Sequence, residues 1–465
     1  MNFRIPWIIS RRRKILGSSI DYSINFFLYN YIFLKEIGIY PSKIVSLSFA
    51  FFWIITSYVL GRYVKTEKIS LDTFSKALLK IILIFFICNL IYLTINWGLP
   101  LVFYWDKIQF SSYSSKEISN LFIRSSIYIS FFSLFIQYFF SIITYNIYDQ
   151  SKEWIFYGTN SQYQQVLAEL EVIKNDINLS IVDEKEDLDK LENRNFKGIV
   201  IGNFNNINKK NLNIIFNLKL RGIQVESLLS WFENEFHRMP TQIIDNKYQL
   251  IEKFKSIEDS YQIRAKRIGD LLVSFLLLIM TFPLFIIISI LIFLEDQGPL
   301  LYSQTRTGLN GKRIKIVKFR SMRIDAEKDG IQWSKKTDPR ITRIGRIIRA
   351  TRLDELPQLV CVMNGSMSLI GPRPERPEIE NQFLKNIPYY NCRNILKPGI
   401  SGWAQVNYPY GASISDSSKK LSYDIYYICH FSILLDLLIL FKTIKLVLKA
   451  GGSKPKERKN EIINF

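Results

Sequence analysis

Apolar residues in this chain gather in long runs. Four lie in the first third, at 15–34, 43–61, 78–104 and 121–143. Each is near or above the ~20 residues that carry a helix across a bilayer, so the pattern predicts four transmembrane helices. The first run is the most polar, carrying Asp21, Asn25 and Asn30; its alternative is an amphipathic helix on the membrane surface. Basic residues set the orientation, because cytoplasmic loops are enriched in them. Arg4, Arg11, Arg12, Arg13 and Lys14 precede the first run, and Arg62, Lys65, Lys68, Lys76 and Lys80 follow the second. Only Lys35 and Lys43 flank the first short loop, and Lys107 and Lys116 the next. The alternation places the N-terminus and everything after residue 145 in the cytoplasm. An even number of spans is then required, which favours counting the first run.

From 153 to 246 the period changes. Short apolar strands at 154–158, 179–183, 198–202 and 223–225 alternate with helical stretches at 162–174 and 211–220, predicting a small parallel α/β layer. The first strand turns at Gly158-Thr159-Asn160-Ser161. It lacks G-x-G-x-x-G, and so has no glycine to let the backbone approach a pyrophosphate. A structural or regulatory role fits better than dinucleotide binding.

A fifth run, 271–294, has Pro283 near its middle. Arg264, Lys266 and Arg267 precede it; Arg306, Lys312, Arg313, Lys315, Lys318 and Arg320 follow. Basic flanks at both ends predict a segment that enters and leaves on one side as a helix–break–helix. Pro283 supplies the break and Thr281 a partner for a freed backbone group. The alternative is a kinked span. A hairpin follows, 301–309 and 313–322, joined at Asn310-Gly311. Arginines at 340, 343, 346, 349 and 352 then alternate with isoleucines. At a step of three they wind around a helix, so the early ones suit headgroups or solvent while Arg349 and Arg352 turn toward a site. Next come Asp354 and Glu355 before Pro357, at the start of a helix whose exposed N–H groups favour phosphate. An acid there caps a helix in the bland case; beside arginine it stays ionised and can act as a nucleophile or metal ligand. Pro372 and Pro374 bracket Arg373 and restrict it, which suits a fork held for a diphosphate. The loop 397–407 is a candidate for nucleotide or sugar contact, with a structural loop as its alternative. Residues 433–449 read as an interfacial or core helix.

Totals narrow the classes. The 465 residues suit two or three domains, and a net charge of +20 fits either nucleic acid or anionic lipid with a phosphorylated substrate. Basic residues beside membrane runs favour the second and argue against nucleic acid. Cys88, Cys361, Cys392 and Cys429 show no C-x-x-C spacing, so a zinc or iron–sulfur cage is not expected, and His237 and His430 leave little room for histidine catalysis. No small-residue cleavage site follows the basic N-terminus, so a cleaved leader is not expected.

Several stretches together carry a family resemblance. They are Lys266-Arg267-Ile268-Gly269-Asp270, Lys318-Phe319-Arg320-Ser321-Met322, Leu353-Asp354-Glu355-Leu356-Pro357-Gln358-Leu359, Met367-Ser368-Leu369-Ile370-Gly371-Pro372-Arg373-Pro374, Lys397-Pro398-Gly399-Ile400-Ser401-Gly402-Trp403-Ala404-Gln405-Val406 and Tyr423-Asp424-Ile425-Tyr426-Tyr427-Ile428. In this order they resemble the catalytic module of bacterial polyprenyl-phosphate phosphoglycosyl transferases of the monotopic superfamily. The preceding helices and α/β domain are similar to the large members that initiate exopolysaccharide or O-antigen synthesis. The resemblance implies transfer of a phosphosugar from a UDP-sugar to undecaprenyl phosphate, releasing UMP and requiring Mg²⁺. It implies that Asp354 is a nucleophile forming a phosphosugar–enzyme intermediate, that Glu355 assists with metal or proton, and that Arg349 and Arg373 contact phosphate. Arg352, with Lys318 and Arg320 from the hairpin end, completes the expected phosphate- and substrate-binding set; Asp354 and Glu355 form the expected metal set. The family's re-entrant membrane helix agrees with the charge pattern at Pro283. Two departures stand out: Phe282 precedes Pro283 where serine is usual, and Ser366 precedes Met367 where an acid is common.

The expected fold class is thus a mixed membrane protein in the bacterial inner membrane, with its catalytic module on the cytoplasmic face. A four-helix transmembrane domain (1–145) leads to a Rossmann-like, CoA-binding-like α/β domain (153–246). An α-rich catalytic module with a re-entrant helix and interfacial amphipathic helices (263–450) and a polar tail (451–465) follow. Expected partners are a UDP-sugar, undecaprenyl phosphate and membrane lipid, with room for a homodimer. The sugar, guessed as glucose or galactose, is not legible. A non-catalytic scaffold or nucleotide sensor on the same fold is the alternative; an ordinary glycosyltransferase lacks support, since no clear D-x-D motif is present.

Overall fold

The structure is a computed structural model. It describes residues 12–38, 43–60, 77–89, 115–148, 153–171, 177–186, 188–191, 196–243, 261–326, 338–408 and 413–448, with isolated positions between, in two compact units, 1–152 and 153–465.

The first unit contains α1 (Arg12–Ile37), α2 (Lys43–Val59), α3 (Ala77–Asn89) and α4 (Ser115–Tyr148). Gly17, Asp21, Asn25, Tyr29 and Phe33 are buried. Their spacing of four makes one ridge along α1. Tyr29 and Phe33 pack with Phe49 and Trp53 of α2, Ile84 of α3, and Phe122 and Ile129 of α4 in one apolar cluster. The polar part of the ridge is satisfied internally. The Asp21 carboxylate accepts from Arg62 at 3.0 Å, from the Tyr63 hydroxyl at 2.6 Å and from the Ser133 hydroxyl at 2.6 Å. A surface-lying helix would turn Asp21 to water; here it faces the packed interior. Residues Asn120–Phe139 are long and apolar enough to cross a membrane, whereas Val45–Tyr58 and Ala77–Asn89 are shorter apolar helices. Residues 90–104 of the third run and the tail lie outside the described residues.

The second unit opens with the α/β layer: β1 (Glu153–Tyr157), α5 (Asn160–Glu171), β2 (Asn178–Val182), β3 (Gly198–Ile201), α6 (Lys209–Leu220) and β4 (Gln224–Ser227). The strands are parallel in the order β2-β1-β3-β4, close to the positions the sequence predicts. Side chains alternate across the sheet with the strand period of two. Trp154, Phe156 and Val200 face Val166, Trp231 and Phe232; Ile155, Tyr157 and Ile199 face Ile214 and Leu218. Helices cover both faces, so the central strands read as continuous apolar runs. The crevice at the carboxyl ends of β1 and β3 is filled from within. A Cβ on Gly158 would lie 2.9 Å from the Phe156 ring, and one on Gly202 2.6 Å from the Gln162 amide.

The remainder of the unit runs through α8, numbered after α7 (Leu228–Trp231). Helix α8 spans Tyr261–Asp296, and is followed by the hairpin β5 (Leu301–Thr307) and β6 (Arg313–Phe319). Then come α9 (Arg343–Ala350), α10 (Gln358–Met363), β7 (Ser368–Ile370), α11 (Pro377–Asn386), β8 (Gly399–Ser401), α12 (Trp403–Asn407), α13 (Ile414–Cys429) and α14 (Ile433–Leu448). The hairpin register pairs Leu301 with Phe319 and Thr307 with Arg313, centring the turn on Asn310. Asn310 and Gly311 both take positive φ, at 52° and 76°. The strands end short of the predicted limits, before Gly308 and after Phe319. The arginine helix is also shorter than predicted: Thr342 caps it, Arg340 pairs with Asp338 before it, and Arg352 adopts a left-handed backbone after it.

The α/β layer docks on this module through α13. Met239 N–H donates to Ser422 O at 2.8 Å, Trp403 Nε1 to His237 O at 2.9 Å, and His430 Nε2 lies 2.8 Å from Glu233. The Tyr426 ring lies between the His237 and His430 rings, at 5.7 and 4.2 Å. Both histidines therefore serve this seam.

Removing Asp21 should be costly, since the Arg62 side chain is only 5% exposed and would remain buried without its counter-charge. Asp21→Ala is expected to destabilise the first unit by about 3–5 kcal/mol. An earlier thermal transition of the purified protein in detergent is the readout, and an unchanged transition would count against the role.

Candidate active site around Asp354 and Glu355

Helix α8 frames the site from both ends. Near its start, Arg267 donates to Val362 O at 2.6 Å and Met363 O at 2.9 Å, two carbonyls at the end of α10. Asp270 accepts from the Ser368 hydroxyl at 2.7 Å and the Leu369 N–H at 3.2 Å, and Lys266 pairs with Asp436 at 2.7 Å. At its other end Glu295 accepts from Arg343 N–H at 2.6 Å and Ile344 N–H at 3.3 Å, capping α9. Asp296 pairs with Arg320. Between Ser274 and Ile288 no residue of α8 is buried, and Leu276, Met280, Phe282 and Ile287 are exposed apolar side chains. Helical conformation continues through Pro283, so the predicted chain break is absent at that level. The Thr281 hydroxyl donates to Leu277 O at 2.6 Å. This bond goes to a different carbonyl from that of Ile279, which proline deprives of its donor.

The acids occupy the turn Leu353–Glu355, between α9 and α10. Arg352 enters this turn at φ 61°, a backbone state that is costly for a side-chain-bearing residue and common at functional turns. Both acids are buried: Asp354 is 9% exposed and Glu355 6%. Glu355 Oε1 accepts from Arg373 at 2.8 Å and Lys318 at 3.2 Å, while Oε2 lies 3.5 Å from Arg352. Burial alone would push the Glu355 carboxyl up, but the Arg373, Lys318 and Arg352 cations outweigh it and hold the group well below the usual carboxylate range. Asp354 behaves oppositely. Burial and the neighbouring Glu355 charge push its carboxyl up to about 6, against the pull of Lys318, Arg349 and Arg352. Two adjacent acids are thus shifted in opposite directions, the pattern that assigns different roles to paired carboxyls. The Asp354 Oδ1 atom is buried without a hydrogen-bond partner.

Lys318, Arg349, Arg352 and Arg373, expected from the sequence to bind phosphate or substrate, place their charges around this pair; Arg320 is instead engaged by Asp296 at the end of α8. Trp403 is likewise turned from ligand contact, buried against the α/β layer with Lys442 4.4 Å over its ring. A serine stands at 366, where its hydroxyl bonds Cys361 O and Asn364. Arg306, Glu375, Arg393 and Asp424, none of which the sequence assigned a role at the site, gather behind Arg373. Their signal was a charge pattern spread over many residues, which no local spacing reveals.

Among the described residues no group of three or more His, Cys, Asp or Glu is placed to hold a metal. The donor set is two acids, with Asp354 Oδ1 the open acceptor. That fits Mg²⁺, which commonly takes one or two carboxylates and completes its shell with water and phosphate oxygens.

The glycines of two motifs have a packing cause. A Cβ on Gly371 would lie 2.3 Å from Lys397 O, and one on Gly399 2.1 Å from Gly371 N. These contacts are backbone to backbone, so no side-chain rotation relieves them. Gly399→Ala is expected to lower module stability by about 1–3 kcal/mol. Thermal melts should show this loss, while Gly269→Ala, with nothing within 4 Å of the added Cβ, leaves the transition in place or raises it.

A family model described as bacterial sugar transferase matches residues 261–450. The chain is 44% identical over 189 residues to the UDP-N-acetylgalactosamine-undecaprenyl-phosphate N-acetylgalactosaminephosphotransferase of Aeromonas hydrophila, covering 41% of this chain and 45% of that one. It is 37% identical over 201 residues to the UDP-glucose:undecaprenyl-phosphate glucose-1-phosphate transferase of Klebsiella pneumoniae, covering 43% of each. The exopolysaccharide production protein PSS of Rhizobium leguminosarum bv. phaseoli is 38% identical over 192 residues, 40% of this chain and 96% of that protein. The matches to the first two thus span less than half of those proteins, and the third is matched almost entirely by the module that holds Asp354 and Glu355. On that module, the chain belongs to the bacterial sugar transferase family.

Proposed function

We propose that the protein transfers a phosphosugar from a UDP-sugar to undecaprenyl phosphate and releases UMP, initiating assembly of a bacterial polysaccharide. The carrying observation is the buried acid pair: Glu355 saturated by three cations, Asp354 with an open oxygen among the same charges. The cations suit a diphosphate, and the printed names of the Aeromonas and Klebsiella relatives supply the reaction class. In this reading Asp354 Oδ1 attacks the sugar-bearing phosphorus, the bond to UMP breaks, and UMP leaves with the electron pair. A phosphate oxygen of the lipid then attacks the same phosphorus and releases the Asp354 carboxylate. Arg373 and Lys318 hold the diphosphate; Arg349 and Arg352 stabilise the charge on Asp354. When bound, Mg²⁺ would offset phosphate charge, with the open Asp354 carboxylate as its protein ligand.

The catalytic face is read as cytoplasmic and the chain as multi-pass in the inner membrane. Both ends of α8 bond into one module and both flanks are basic, while the stretch between Ser274 and Ile288 has no buried residue. These features favour a helix that returns to the side it left, bent near Pro283. The α/β layer is read as structural or regulatory, since its own side chains fill the crevice where a doubly wound sheet would bind a ligand.

Two measurements test the reading. UMP release from UDP-N-acetylgalactosamine or UDP-glucose with undecaprenyl phosphate in nanodiscs should fall by at least about 10³-fold in Asp354→Asn, as for loss of a group that acts only in the transition state; retained turnover removes Asp354 as nucleophile. Mg²⁺ binding favours the ionised acid, so the Asp354 proton is displaced near pH 6 and is already gone at pH 8. Calorimetry in buffers of different ionisation enthalpy should therefore register proton release at pH 6 only.

A further inference from the structure

The segment that presents Arg373 is held by two buried charges that the transfer reaction does not itself use. Arg393, in the turn Tyr390–Ile395, is 7% exposed in its side chain, and Asp424, on α13, 3%. Arg393 Nη2 lies 3.0 Å from the Asp424 carboxylate and donates to the Arg373 carbonyl at 2.7 Å. Its Nη1 donates to the Tyr390 hydroxyl at 2.6 Å, with Glu375 at 3.8 Å. The next two carbonyls are also held: Arg306 donates to Pro374 O at 3.3 Å, and Thr307 N–H to Glu375 O at 2.9 Å. Three successive carbonyls thus each receive a donor, and the first donor is a buried charge.

A buried ion pair adds little net stability compared with an apolar pair of the same volume. What it does supply is direction. A planar guanidinium bonded on several edges has one orientation, and its partners here come from separate elements. Pro372 and Pro374 leave the Arg373 backbone little freedom, so a fixed carbonyl also fixes where the Arg373 side chain starts. That side chain ends on Glu355.

We infer that Arg393 and Asp424 are positioning residues for Arg373: Asp424 orients the Arg393 guanidinium, Arg393 anchors the Arg373 carbonyl, and Arg373 is thereby aimed at Glu355 and the diphosphate. The effect on activity rests on the transfer reaction proposed above; the effect on the loop does not.

The test uses the full-length protein in nanodiscs. Asp424→Asn should lower kcat/KM for the UDP-sugar by about tenfold, chiefly through KM, and in an Arg373→Lys background the same change should cost less than about twofold, because residues acting through one another are not additive. Arg393→Lys, which keeps the cation and loses the fork, should fall between wild type and Asp424→Asn. Equal losses in both backgrounds would overturn the inference by showing general destabilisation. Hydrogen exchange is read in parallel. Amides of 371–376 should exchange faster in both Asp424→Asn and Arg393→Lys while β1 to β4 are unchanged; unaltered exchange at 371–376 would also overturn it. If wild type releases no UMP from either UDP-sugar, the transfer reading fails and the exchange result decides the brace alone.

Discussion

Glu355 is a carboxylate under the protein surface, and the structure around it is organised to keep it ionised. An isolated buried charge is untenable in a low-dielectric interior, so it needs cations at hydrogen-bond distance. These come from places far apart in sequence: Lys318 from the end of β6, Arg352 from the strained turn, and Arg373 from the loop after β7. Satisfying one acid therefore fixes the relative placement of hairpin, turn and loop. The neighbouring Asp354 lies among the same cations but is not saturated by them, and this difference separates a structural acid from a reactive one.

Helix α8, long and apolar enough to cross a membrane, also helps to build the site. Its apolar middle makes few contacts with the module, while its polar ends make many. Arg267 and Asp270 tie one end to α10 and β7; Glu295 and Asp296 tie the other to α9 and Arg320. Because α9 runs directly into the acid-bearing turn, α8 also fixes where Asp354 stands. Buried polar groups do similar work in the first unit, where Asp21 gathers Arg62, Tyr63 and Ser133.

The α/β layer is coupled to this chemistry by packing. Helix α13 carries Tyr426, set between two histidines at the seam, and two residues earlier Asp424, which faces Arg393. One rigid helix thus touches both the docking surface and the support of Arg373. Energetic coupling along such a route needs an element with two states, and the structure provides the contiguous contacts that would carry it.

Local pattern sufficed for whatever depends on short-range chemistry. The short continuous apolar runs at 154–158 and 198–202 place β1 and β3 because a strand covered on both faces is apolar throughout. Asn310-Gly311 marks the hairpin because both residues tolerate positive φ, and Pro357 marks the start of α10, with the acids in the turn before it. The sequence by itself also determined the length and polarity of the apolar runs, and the ordered motifs that point to the family. Tertiary structure alone decided which cations reach the acids. Lys318 and Arg320 are two residues apart, yet one meets Glu355 and the other Asp296, because the strand ends at Phe319 and Arg320 lies beyond it. It likewise turned Trp403 into a docking residue, placed Asp21 inside the packed helices, and brought Arg393 and Asp424 behind Arg373. Charge pairing across 18 to 170 residues of chain depends on how elements pack, and no spacing along the sequence encodes that.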